Sequence, residues 1–184
     1  MDRAIRRNTG EITDEWLVLR SQEGSPGALN LLLKRWQPKL AARAYHLTGA
    51  IDAAADISQE TLIGISNGIR RLRDPNSFRS WAFSIVSNKS RDWIRKQTRE
   101  RTLSDPMKAN PETIIETSLD ESGELLREAL SLLERDDREL LRLHYYEGLS
   151  IIEISNIESI PAGTVKSRLF TAREHLRRKL NPNT

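Results

Sequence analysis

Cysteine is absent from the 184 residues, which excludes disulfide staples, thiolate metal sites and cysteine nucleophiles. Histidine is scarce too: His46, His144 and His175 stand far apart, with no pair at metal-ligand spacing, so neither a metal nor any other cofactor is expected. No apolar run approaches the roughly 18 residues of a membrane span. Met1 to Gly10 carries arginines but no apolar stretch of a secretory signal follows it, so a soluble, cytoplasmic protein without membrane insertion is expected. Glycine-rich phosphate loops and nucleophile–base sets are missing as well, and no enzyme is expected. Aromatic residues make up only 5% of the chain, against 30% charged and 38% hydrophobic residues. That composition still supplies enough Leu, Ile and Trp for small cores, so the chain folds rather than staying disordered.

What is present is charge, unevenly placed. Residues 1–65 carry 8 basic and 8 acidic side chains, 66–102 carry 10 and 3, 103–160 carry 5 and 14, and 161–184 carry 6 and 1. Two basic blocks flanking an acidic one suit two surfaces for a polyanion, with a middle section that nucleic acid avoids; solvated helix faces are the plainer alternative.

Helical periodicity dominates. Ser25 as N-cap and Pro26 at the first helical position open a segment with Leu29, Leu32, Leu33, Trp36, Leu40, Ala44 and Leu47 at three- and four-residue steps, stopped by Gly49. Pro38 inside it is expected to kink or divide the helix. Asp52 then reads as the N-cap of a helix with Ile57, Thr61, Leu62, Ile65, Ile69 and Leu72 on one face, closing before Asp74-Pro75-Asn76-Ser77. From Phe78 to about Arg101 the pattern turns Phe78, Trp81, Ala82, Ile85 and Trp93 inward and leaves Arg79, Lys89, Arg91, Arg95, Lys96 and Arg99 wet. With a short helix from Thr13, these segments make a first domain over 13–101, after an N-terminal tail 1–12. The Pro-bearing, aperiodic stretch 102–118 reads as a flexible linker, and 119–184 as a second helical domain.

In that second domain Leu125, Leu126, Ala129, Leu130 and Leu133 mark one helix, and Leu140, Leu141, Leu143 and Tyr145 another that ends at Gly148. Ser150-Ile151-Ile152-Glu153 is a capping box. A turn at Glu158-Ser159-Ile160-Pro161 then precedes a helix whose buried stripe is Val165, Leu169, Ala172, Leu176 and Leu180. Short helix, tight turn and longer basic helix form a helix-turn-helix. Its outward Lys166, Ser167, Arg168, Phe170, Thr171 and Arg173 supply donors for guanine edges and phosphates.

These residues resemble the extracytoplasmic-function (ECF) sigma factors. Tyr146-Glu147-Gly148-Leu149-Ser150, Glu153-Ile154-Ser155 and Gly163-Thr164-Val165-Lys166-Ser167-Arg168-Leu169 match the family's fourth conserved region. Ala55-Asp56-Ile57-Ser58-Gln59-Glu60 and the spacing of Phe78, Trp81, Ile85, Asn88, Asp92 and Arg95 match its second. The chain departs from the family in having Glu158-Ser159 for a Leu-Gly turn, Thr171 for a frequent Arg, Ala54 for a frequent acidic residue, and no Pro near Leu133-Glu134.

The resemblance implies an all-α protein of two small helical domains, sigma region 2 and sigma region 4, that directs core RNA polymerase to promoters. It implies that Asp56, Gln59, Glu60 and Ile63, at i, i+3, i+4 and i+7, meet the beta-prime clamp helices, with a second contact on the beta flap. Asn88, Arg91, Asp92 and Arg95 would serve the melted minus-ten element. Aromatic Phe83 and Trp93 among basic side chains suit stacking on bases there. Thr164, Lys166, Ser167, Arg168, Phe170, Thr171 and Arg173 would read the minus-thirty-five duplex, and an anti-sigma factor, often membrane-bound, is implied as the control. Two other readings stay open: a dimeric helix-turn-helix regulator acting without polymerase, and a sigma mimic that only sequesters anti-sigma factors.

Overall fold

The computed structural model describes residues 14–101, 126 and 128–180. The tail 1–12, the linker 102–118 and Leu125 lie outside the described residues. Among the described residues there are helices and no strands, in two units, Met1–Pro111 and Glu112–Thr184. None of these helices is long and apolar enough to cross a membrane.

In the first unit α1 spans 14–22, α2 Pro26–Thr48, α3 Ile51–Gly68 and α4 Phe78–Arg101. The ends of α2 follow local chemistry: Ser25 Oγ accepts from the Ala28 amide at 3.4 Å, and Gly49 takes the left-handed conformation (φ 68°) with its amide on the Tyr45 carbonyl. Pro38 does not divide α2, which runs through it for 23 residues. The bond it removes belongs to the carbonyl of Lys34, an exposed residue where water can replace the lost amide. The α3 N-cap is Ala50 rather than Asp52: its carbonyl accepts the Ala54 amide at 2.9 Å, and its own amide donates to Thr48 Oγ1 at 3.3 Å. Asp52 lies in the first turn instead, where its charge favours the positive helix end.

Helices α2, α3 and α4 pack on one another around Trp36. The fully buried Trp36 ring meets Phe78 edge-on at 5.1 Å and Phe83 at 5.5 Å. Phe83 is therefore not a base-stacking residue: it is wholly inside, with Val86 behind it. The buried stripe of α4 is centred on Phe78, Ala82, Phe83 and Val86, which leaves Trp81, Ile85 and Trp93 at its half-buried edges. Trp81 closes against the end of α3 because Gly68 has no side chain; a Cβ there would stand 2.8 Å from its Cζ2. Arg79 is not wet either. It faces Asp14 of α1 at 3.8 Å, and Arg35 approaches the same carboxylate to 3.3 Å. Burial nonetheless pushes the Asp14 carboxyl above its ordinary value, against the pull of those two guanidinium groups. Gln22 fastens the other end of α1, donating to the carbonyls of Ile69 and Leu72 at 2.9 and 2.7 Å.

In the second unit α5 is described over 128–131, α6 spans Arg135–Leu141 and opens into one π turn at Arg142–Tyr146, α7 spans Ile151–Glu158 and α8 Ala162–Leu180. Both α6 and α7 pack on α8 around Leu140, Leu143, Leu149, Ile154, Ile157, Val165 and Leu169. Three residues expected in the apolar stripes are exposed: Leu126, Tyr145 and Leu180. Leu180 stands at the end of α8, and the wider π turn swings Tyr145 off the inward face. Both arms of the capping box form, with the Glu153 amide on Ser150 Oγ at 3.3 Å and the Ser150 amide on Glu153 Oε2 at 2.8 Å. The turn after α7 keeps its shape without glycine. Ser159 adopts φ 58°, ψ 39°, the one non-glycine positive φ among the described residues. Its amide donates to the Ser155 carbonyl, and Ser155 Oγ donates to the Ile160 carbonyl at 2.6 Å.

Two expectations test this packing. Trp16, Trp36, Trp81 and Trp93 all belong to the first unit, so tryptophan fluorescence follows its unfolding alone. Phe83→Ala should cost about 3–5 kcal/mol in that assay; a loss below about 0.5 kcal/mol, typical of surface positions, would put Phe83 back in solvent. Ser159→Gly should stabilise the second unit by about 0.5–1 kcal/mol, since the left-handed strain exceeds the added chain entropy. Amide exchange in α7 and α8 would then slow by about 2- to 5-fold, and no slowing would mean that Ser159 bears no strain.

Candidate nucleic-acid interface

On α3, burial of Ile57, Thr61 and Ile65 turns Asp56, Gln59, Glu60 and Ile63 outward as one exposed stripe, with Ile63 60% accessible. The four expected docking residues thus share a face. They are not chemically equal, because Glu60 Oε2 accepts from Lys89 Nζ of α4 at 2.8 Å while Asp56 makes no ion pair among the described residues.

The wet face of α4 begins one position before Lys89. Asn88 is exposed, and its Oδ1 accepts from Arg91 at 3.0 Å; Asp92 Oδ1 accepts from Arg95 at 3.3 Å. The expected Asn88, Arg91, Asp92 and Arg95 form one strip in which each acceptor orients a guanidinium one turn on. Asp92, Arg95, Lys96 and Arg99 line a shallow groove at its end. A strip of planar donors with an amide among them can neutralise phosphates and hydrogen-bond unpaired base edges.

On α8, Val165, Leu169 and Ala172 face the core, while Thr164, Lys166, Ser167, Phe170, Thr171 and Arg173 are exposed. Ser167 Oγ donates back to the Thr164 carbonyl at 3.1 Å. Arg168, expected among the DNA donors, has a partner within the unit. Its Nε donates to Asp137 of α6 at 2.6 Å, with Asp136 3.9 Å away, so its charge is committed inside the unit. Phe170 is 58% exposed, and the Arg173 guanidinium lies 6.0 Å from its ring centre. Arg173 Nη1 also donates to the Tyr145 hydroxyl at 3.2 Å.

Behind these donors sits a group that periodicity did not reveal. Arg142 donates to Glu139 at 2.7 and 2.8 Å and to the fully buried Glu147 at 3.0 Å, joining the two ends of the π turn. The available signal was an acidic residue just before the turn glycine Gly148, a place where an inward carboxylate needs a cation. No cluster of metal-ligating side chains occurs among the described residues.

The sequence matches two family models, Sigma-70 region 2 over residues 32–100 and Sigma-70 region 4 over 123–176. The ECF RNA polymerase sigma-E factor of Haemophilus influenzae is 31% identical, with 94% of this chain and 97% of that protein covered. The sigma-E factor of Escherichia coli K12 is 30% identical, with 94% and 96% covered. Among solved structures, the sigma factor RpoE of Bartonella quintana, in complex with the anti-sigma factor NepR, is 28% identical with a TM-score of 0.63, covering 84% of this chain and 98% of that one. CnrH, in complex with the cytosolic domain of CnrY, shares the fold with a TM-score of 0.55 at 24% identity, over 94% and 99% of the two chains. With two sigma-region matches in order and relatives aligned over nearly the whole length, the chain belongs to the ECF family of RNA polymerase sigma factors.

Proposed function

We propose that the chain binds core RNA polymerase through the α3 stripe, with a second contact on the beta flap, and directs it to promoters with α4 and α8. The observation that carries this reading is the division of each helix into a buried stripe and an exposed polar one, so that the recognising side chains stand on rigid backbone. In this reading Asp56, Gln59, Glu60 and Ile63 meet the beta-prime clamp helices. Asn88, Arg91, Asp92 and Arg95 hold the melted minus-ten strand. Thr164, Lys166, Ser167, Phe170, Thr171 and Arg173 contact the minus-thirty-five duplex, while Arg168 holds α8 against α6. The protein itself catalyses no step and acts in the cytoplasm. An anti-sigma factor is its natural regulator, in line with the complex of the similar sigma factor RpoE with the anti-sigma factor NepR.

Run-off transcription with core polymerase tests the whole assignment: promoter-specific transcripts support it, and tight dimeric binding to a palindrome without affinity for polymerase would replace it with the free-standing regulator. For the docking stripe the informative variant is Asp56→Arg, which leaves the Glu60–Lys89 pair in place. Placing a like charge against a basic partner costs several kcal/mol, so it should lose co-purification with core polymerase while its circular-dichroism spectrum stays helical. Wild-type affinity would remove this face from the docking site.

On α8 two cations should behave differently. Lys166→Ala should weaken upstream-element binding by roughly 1–3 kcal/mol if Lys166 meets a base, with the thermal melt unchanged. Arg168→Ala should instead lower the stability of the second unit by about 1.5–3 kcal/mol, because it breaks a charged hydrogen bond to Asp137. An Arg168→Ala protein with normal stability but no upstream-element binding would return Arg168 to the DNA face.

A further inference from the structure

Arg173 and Arg168 stand on the same helix and are held by different chemistry. Arg168 sits on a carboxylate, Asp137, which matches its charge. Arg173 sits on a neutral phenol oxygen, that of Tyr145, at 3.2 Å. A carboxylate partner cancels the field a guanidinium presents to an approaching anion, whereas a neutral acceptor fixes its direction and leaves the charge in place. Among the described residues only Nη1 of Arg173 has a hydrogen-bond partner, which leaves most of its five N–H donors for a ligand.

The phenol is itself anchored. The Tyr145 ring meets the His144 ring edge-on at 4.8 Å, and His144 Nδ1 lies 2.8 Å from the carbonyl of Leu149, a buried residue at the entry to α7. The π turn Arg142–Tyr146 brings Tyr145 outward to this place, where a regular helix would direct the position inward. On its far side Arg173 lies over the outer range of the exposed Phe170 ring, at 6.0 Å. A long cation is thus held at one nitrogen by a hydroxyl and flanked by an aromatic face, with its charge directed out of the recognition helix.

We propose that Tyr145 is a positioning residue for DNA recognition: its hydroxyl pre-orients Arg173 for a phosphate oxygen of the duplex read by α8. The inference rests on the reading of the α8 face as the duplex contact. Fixing a rotamer-rich side chain before binding removes part of the ordering cost of association without adding a contact, so the effect falls on affinity and leaves the number of neutralised phosphates unchanged.

The test uses holoenzyme reconstituted with full-length protein and a duplex promoter selected by the wild-type holoenzyme from a randomised pool. Dissociation constants are measured across a salt series for wild type, Tyr145→Phe, Arg173→Ala and the double variant. Arg173→Ala should weaken binding and lower the salt slope by about 1. Tyr145→Phe should weaken binding by about 3- to 10-fold with an unchanged slope and thermal melt, and should have no further effect in the Arg173→Ala background. Wild-type binding by Tyr145→Phe, or losses that simply add in the double variant, would overturn the positioning role while leaving Arg173 as a phosphate donor. If Arg173→Ala changes neither affinity nor slope, the duplex-contact reading fails at this position and the inference falls with it.

Discussion

A carboxylate taken out of water has to be paired, and in the second unit the buried Glu147 meets that need through the half-buried Arg142. Burial alone would make Arg142 easier to deprotonate; Glu139 and Glu147 reverse the effect and hold it charged above its ordinary value. Glu147 has no solvent to fall back on, so loss of Arg142 would leave a bare carboxylate inside the unit. Because Arg142 opens the π turn and Glu147 follows it, the pair sets how α6 ends, where Leu149 enters the core and how Ser150 is placed to cap α7. The angle of α8 follows from α7 through the left-handed Ser159. The first unit meets a related demand with Arg43, fully buried on α2, whose Nε donates to Ser87 of α4 at 3.2 Å.

A rigid frame of this kind lets neighbouring charges take different parts. On α8, Arg168 turns back to α6 and Arg173 turns out to solvent, although they lie five positions apart on one helix. Between α3 and α4 the pair of Glu60 and Lys89 joins the exposed α3 stripe to the strip that starts at Asn88. An exposed pair of this type adds little to stability, typically under about 1 kcal/mol. Its consequence is local: it ties the side chains of two adjoining exposed faces whose register the buried core already sets.

What was legible in the sequence was local. Ser25-Pro26, Gly49 and the Ser150/Glu153 box announce helix ends because their chemistry acts within four residues. The apolar stripes of α2 and α3 were readable for the same reason, and so was the exposure of Asp56, Gln59, Glu60 and Ile63 and of most outward positions of α8. The errors come from partners distant in sequence. Phe83 reads as a surface aromatic among cations until Trp36, nearly fifty residues earlier, supplies its neighbour. Arg79 reads as a solvated cation until Asp14 faces it, and the Asp137 partner of Arg168, 31 positions away, could not be read from the sequence. Tyr145 was misplaced by a different cause, since a single π turn breaks the 3.6-residue period on which the inward stripe was counted.

The same long-range pairing changes the meaning of the acidic block over 103–160. As a row of charges it is a surface that repels nucleic acid. In the folded unit many of its carboxylates answer cations or amides of the unit itself: Asp137 answers Arg168, Glu139 and Glu147 answer Arg142, Glu128 lies 3.6 Å from Lys179, and Glu153 caps α7. Part of the excess negative charge is therefore structural, used to build the frame that carries α8. Among the described residues of α8, Lys166, Arg173 and Arg178 pair with no carboxylate, and all three are exposed. Charge counted along the chain locates the basic helix, but only the pairing within the fold separates the cations that hold it from those that stay open to solvent.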